Sequence, residues 1–108
     1  MAQKLNLIID QGTTFATSFT VNDDAGNPID LTNYTGYGQM RKHYTSTNAV
    51  SFTVTANSSG GVTLELNSNT TNSIEAGRYV YDVELVAPAN TTSRVVEGIV
   101  TVTPQVTR

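Results

Sequence analysis

The residues best suited to chemistry sit in two short stretches. Arg41, Lys42, His43 and Tyr44 place two cations, the chain's single histidine and a phenol at consecutive positions. Such a patch suits contact with phosphate or with an acidic partner. Asp23, Asp24, Asn27 and Asp30 gather oxygen ligands of the kind Ca²⁺ takes. Their spacing departs from the calcium-loop motif, and aspartates collect in turns because they hydrogen-bond their own backbone, so a turn is the reading adopted. His43 has no serine or cysteine nucleophile motif beside it, and reads as an exposed polar strand residue. Arg41 is predicted to pair across strands with Asp82 or Glu84, a contact worth under about 1 kcal/mol when exposed. The triplets at Asn33, Asn57, Asn69 and Asn90 match the N-glycosylation acceptor pattern, which chance supplies in a chain this rich in Asn and Thr. No carboxylate pair, glycine-rich phosphate loop or metal-ligand set stands out. The reading is therefore non-enzymatic, with no catalytic residues, no cofactor and no metal.

Composition narrows the partners. The 108 residues carry a formal net charge of −3. A mildly acidic chain lacks the basic footprint of a nucleic-acid binder, whose affinity rests on neutralising phosphates. No apolar run approaches the roughly 20 residues that span a bilayer, and the N-terminus lacks the apolar core of a signal peptide. Nucleic acid and membrane are thus not expected partners, and synthesis in the cytoplasm is. Cysteine is absent, which excludes a disulfide framework. Charged residues make up only 14%, and Thr, Ser and Asn fill the polar positions. Solvent faces built from Thr suit strands rather than helices.

Period-two alternation recurs along the chain and predicts the elements that hold these residues. Residues 77–86 and 94–102 form the densest pair. Tyr79, Tyr81, Val83 and Leu85 share one face; Asp82 and Glu84 mark the other as the solvent side, because unpaired charge is costly to bury. Val96, Gly98, Val100 and Val102 likewise oppose Val95, Glu97, Ile99 and Thr101. The polar link 87–93 makes the pair an antiparallel hairpin. Earlier strands are predicted over 4–10, 14–22, 36–44, 50–56 and 62–66. In the first, Leu5, Leu7 and Ile9 face inward; in the second, Phe15, Thr17, Phe19 and Val21. Met40 faces inward on the third, with Gly36 and Gly38 giving room to bulky side chains opposite. Ile29 and Leu31 plug one end of the core. One helical turn is predicted within 67–76, capped by Asn69 or Thr70, with Ile74 its buried contact. About seven short strands with Gly, Asn and Pro punctuation predict one all-β domain over 1–108, an immunoglobulin-like antiparallel β-sandwich. Phe15, Phe19, Met40, Phe52, Leu64, Tyr81 and Val100 would form its core.

Three stretches carry a family resemblance. They are residues 5–15, from Leu5 through Asp10-Gln11-Gly12 to Phe15; residues 23–34 with Gln39-Met40-Arg41-Lys42; and 77–85 with 94–98 and Val102-Thr103-Pro104. The first two resemble immunoglobulin-like modules of tailed-phage virion proteins, nearest the N-terminal domain of siphophage upper baseplate proteins. The third is similar to small virion proteins of contractile-tailed phages, including cyanophages. The resemblance implies a structural part of the virion, in tail, baseplate or neck, meeting other virion proteins or further copies of itself. The expected location is the virion. Upper baseplate proteins continue into a long segment that this sequence lacks. The alternative it implies is decoration of the capsid surface, or an adhesin domain that binds host glycans weakly through Tyr34, Tyr37 and Tyr44. Arg41, Lys42, His43, Tyr44, Pro104 and Arg108 are the candidate interaction surface. The uncharged runs 13–20 and 51–55 are candidate free sheet edges. The end segments 1–4 and 104–108 are expected to dock on partners.

Overall fold

The computed structural model describes residues 3–23 and 25–106. Asp24 and Arg108, and part of each end segment, lie outside them. The fold is all-β, as the alternation predicts. Its strands are β1 (Gln3–Lys4), β2 (Leu7–Asp10), β3 (Phe15–Thr20), β4 (Thr35–Arg41), β5 (Val50–Ala56), β6 (Gly61–Leu66), β7 (Gly77–Val86) and β8 (Thr92–Thr103). A five-residue helix, α1 (Ser68–Asn72), sits between β6 and β7.

The immunoglobulin-like arrangement takes the form of one curled, mixed sheet in the order β1-β8-β7-β4-β5-β6-β3, with β2 also on β8. The antiparallel sets β4–β7–β8 and β5–β6–β3 are the pairings such a domain places in its two sheets. β5 belongs to both. Its first half, Val50–Phe52, pairs with β4, and its second half, from Thr53, pairs with β6. The sheet turns over at this strand and encloses one core. The expectation of a purely antiparallel sheet is corrected at the N-terminus, because β1 and β2 both run parallel to β8.

The single strand expected over 4–10 is broken at Leu5-Asn6. Leu5 still donates its N–H to the Glu97 carbonyl, but the Asn6 side chain accepts from the Ile99 N–H in place of a backbone oxygen. The chain then resumes at Leu7. Leu7 and Ile9 enter the core, whereas Leu5 stays part-exposed and Ile8 points to solvent.

The core follows the predicted parity closely. Met40, Phe52, Leu64, Tyr81 and Val100 are buried, together with Val62, Val83, Leu85 and Val96. Phe15 and Phe19 are corrected to half-buried positions packed against this cluster. Phe52 lies at its centre, with ring centroids 6.2 Å from Phe15 and 6.1 Å from Tyr81. The two β4 glycines make room as expected: a Cβ on Gly36 would collide with Val54, and one on Gly38 would press on Val54 and Phe52. Asn67, rather than Asn69 or Thr70, caps α1, accepting from the Thr70 N–H at 2.8 Å. Ile74 is buried, and so is Thr71, whose hydroxyl donates to the Thr13 carbonyl at 2.7 Å.

Candidate interaction surfaces

The predicted basic–aromatic patch is dispersed by the end of a strand. β4 stops at Arg41, so Lys42, His43 and Tyr44 lie in the following turn rather than on the strand. Arg41 reaches the loop: its Nη1 donates to the Ser46 carbonyl at 2.6 Å and the Thr47 carbonyl at 3.3 Å. Its Nη2 donates to Gln39 Oε1 at 3.0 Å. Arg41 is therefore a loop holder. The His43 N–H donates to the Ser46 hydroxyl, and the Ser46 N–H returns to the His43 carbonyl, closing a tight turn. Lys42 Nζ sits over the Tyr79 ring at 5.0 Å, a cation–π contact at the mouth of a pocket of about 350 Å³ beside that turn. Tyr44 is left 85% exposed.

The expected ion pair of Arg41 with Asp82 or Glu84 is not the one formed. Arg94 takes that place, with Nε 3.3 Å from Asp82 and Nη1 3.5 Å from Glu97. The cause is a β-bulge. Val83 pairs with Val96, but Glu84 pairs with Arg94, so Val95 is the extra residue. Strict alternation would turn Arg94 inward with Val96. The bulge instead turns it to the outer face and lets Val95 rest half-buried against the core. No side-chain pattern in residues 92–97 marks this shift.

On that outer face, Gln39, Arg41, Asp82, Arg94 and Glu97 floor a shallow groove of about 250 Å³, with Tyr44 at its border. Tyr37 stands exposed on the same face of β4, opposite Glu84. Tyr34 is elsewhere. It is half-buried, beside half-buried Ile29 and fully buried Leu31, in an open seam of about 550 Å³ at the end of the sheet. The three tyrosines therefore make no single platform.

In the acidic stretch, Asp23 and Asp30 each turn one carboxylate oxygen onto neighbouring groups of the chain. Asp23 Oδ1 accepts from the N–H groups of Ala25 and Asn27, and Asp30 Oδ1 accepts from the N–H and hydroxyl of Thr32. The Thr32 bonds hold the Asp30 carboxyl below the usual range. At the C-terminus, Pro104 and Val106 are exposed, but Gln105 is tied down: its N–H donates to Gln11 Oε1 at 3.1 Å and its side-chain amide to Asn72. Lys4 is held in β1. Among the described residues, the N-terminal segment is thus partly built into the sheet, and the C-terminal one is tied beside it to Gln11 and Asn72.

Of the two uncharged runs, residues 51–55 lie within β5, an interior strand. β3 is the terminal strand of the sheet and, among the described residues, pairs only with β6. Val21 donates to the Gly60 carbonyl, which fixes the phase of that ladder. Phe15, Thr17 and Phe19 bond toward β6, and the N–H and C=O groups of Ala16, Ser18 and Thr20 point outward along the free edge.

No helix among the described residues is long and apolar enough to cross a membrane. No protein-family model and no curated protein matches the sequence. Solved structures give distant likenesses. One is a Listeria monocytogenes internalin-like protein, lmo2027, at 18% identity and TM-score 0.49, covering 94% of this chain and 28% of that one. A second comes from work on multimeric cell-adhesive interactions of VGSC beta subunits, at 12% identity and TM-score 0.45, covering 93% and 92%. A third is a family 123 glycoside hydrolase from Clostridium perfringens, at 12% identity and TM-score 0.41, covering 97% and 24%. This chain spans about a quarter of the first and third. At these scores none of them bears on function.

Proposed function

We propose that the protein is a non-enzymatic structural component of a tailed-phage virion and acts by protein–protein assembly. The observation that carries this reading is the β3 edge. Soluble proteins blunt a free edge with charge, proline, a bulge or a covering element. Residues 13–20 hold no charged residue and no proline, and β3 pairs with β6 without a break in register. An edge left in this state suits a chain that meets another strand in its working assembly. The resemblance to phage virion modules supplies the kind of assembly. A tagged copy expressed during infection should enter purified particles, and its exclusion from them would count against the reading.

A second reading is favoured by one observation, the groove beside Tyr44. An exposed aromatic ring next to carboxylates, an amide and guanidinium groups has the chemistry that stacks on and hydrogen-bonds a sugar. In that case the domain decorates the particle and binds host glycans weakly. Glycan-array binding that is lost in Tyr44→Ala would support this reading; binding unchanged by that substitution would remove it.

A further inference from the structure

The free edge has a self-complementary sequence. Residues 14–20 read Thr-Phe-Ala-Thr-Ser-Phe-Thr, a palindrome about Thr17 except for Ala16 against Ser18. We propose that β3 pairs antiparallel with β3 of a second copy across a two-fold axis through Thr17. This deepens the assembly reading by naming the partner of that edge.

The register follows from the ladder phase. The outward backbone groups belong to Ala16, Ser18 and Thr20, so hydrogen-bonded pairs must join even-numbered residues. A dyad at Thr17 does this: Ala16 faces Ser18 of the second copy, and Thr14 faces Thr20. Phe15 then faces Phe19, and Thr17 faces itself. In an isologous contact each pairing occurs twice, residue i against j and j against i, and only Thr17 on the axis meets its own symmetry mate.

The side chains fit the same register. Phe15 and Phe19 are large apolar residues left half-buried at the rim of the core. Paired across the dyad, they form two aromatic cross-strand contacts that continue the core beneath the joint sheet. On the outer face the opposed residues are small or hydroxylated, and no like charges meet. The other end of the sheet differs. Lys4 and Asp10 lie on β1 and β2, where self-pairing would bring charge into the contact.

The test uses the whole chain, which has no cysteine of its own. Thr17→Cys would place two thiols opposite each other at a non-hydrogen-bonded pair, where Cα atoms approach to about 4.5 Å. Mild oxidation should give a disulfide-linked dimer. Thr53→Cys, exposed on the interior strand β5, should stay monomeric. In sedimentation equilibrium the unmodified protein should move with rising concentration from 11.6 kDa toward twice that mass. Ser18→Pro removes an outward N–H and should hold it at the lower mass. If circular dichroism shows that this variant is unfolded, the double variant Ala16→Lys with Ser18→Lys serves instead, since it sets Lys against Lys. A protein that stays monomeric at every concentration, or a Thr53→Cys variant that cross-links as fast as Thr17→Cys, overturns the proposal. Neither result touches particle incorporation, which is measured separately.

Discussion

The Tyr81 hydroxyl donates to the main-chain carbonyl of Leu5, 76 residues earlier in the chain. The bond crosses the break between β1 and β2 and ties the N-terminal segment to the central hairpin. Gly98 completes the arrangement. A Cβ there would run into the Leu5 carbonyl, which is backbone and has little freedom to move aside. The jog at Leu5-Asn6 thus rests on Tyr81, Gly98 and the Asn6 side chain together.

Gly98→Ala should therefore destabilise the domain by about 1–3 kcal/mol, the usual cost of overpacking. The damage should be local first. Hydrogen exchange at Leu5 and Ile99 should accelerate more than exchange in β6. Equal acceleration in both would place the strain elsewhere.

Phe52→Ala should cost about 3–5 kcal/mol in urea unfolding, because it empties the centre of the core between Phe15 and Tyr81. A loss below about 1 kcal/mol would mean that the surrounding side chains close the space.

Burial pushes the Tyr81 phenol up to about 12 from its ordinary 10.0. Burial, with the nearby Glu75 carboxylate, also raises Tyr79. The folded state holds these protons more tightly than the unfolded chain does. Their contribution is complete below pH 10, and stability falls as pH rises from there toward about 12. Unfolding measured across that range should show this loss, and Tyr81→Phe should flatten it. An unchanged slope in the variant would assign the alkaline loss to other groups.

Arg41→Ala should loosen the turn after β4 with little effect on global stability. Arg41 holds two loop carbonyls and is itself only partly buried, so a loss of about 1 kcal/mol is expected. Faster exchange of the Ser46 amide with a fall of only a few degrees in the unfolding midpoint would fit. A large drop in the midpoint would make Arg41 part of the core scaffold.

Much of this fold was legible in the residues. Tyr81, Val83 and Leu85 against Asp82 and Glu84 carry an alternation strong enough to set their faces, and Gly36 and Gly38 announced the close approach of Val54. What the sequence hid were departures from period two. Nothing at Val95 signals the bulge that carries Arg94 to Asp82, where the sequence leads one to expect Arg41 beside Asp82 or Glu84. The Leu5-Asn6 jog was equally silent, because Leu5, Leu7 and Ile9 keep perfect parity through it. Strand length was overread at Lys42 and His43, where a turn closed by Ser46 ends β4. The candidate surface suffered most from this. The four consecutive residues are drawn apart by their own contacts, Arg41 to the Ser46 and Thr47 carbonyls and Lys42 to the Tyr79 ring. The uncharged edges were visible as a pair, but only topology separates the terminal β3 from the interior β5.

The central claim, a repeated structural subunit of a phage particle, is tested most directly by quantitative mass spectrometry of purified particles. The chain should be present in multiple copies, in a fixed ratio to the other virion proteins set by the symmetry of the particle. Its absence from particles that contain every other structural protein would contradict the account.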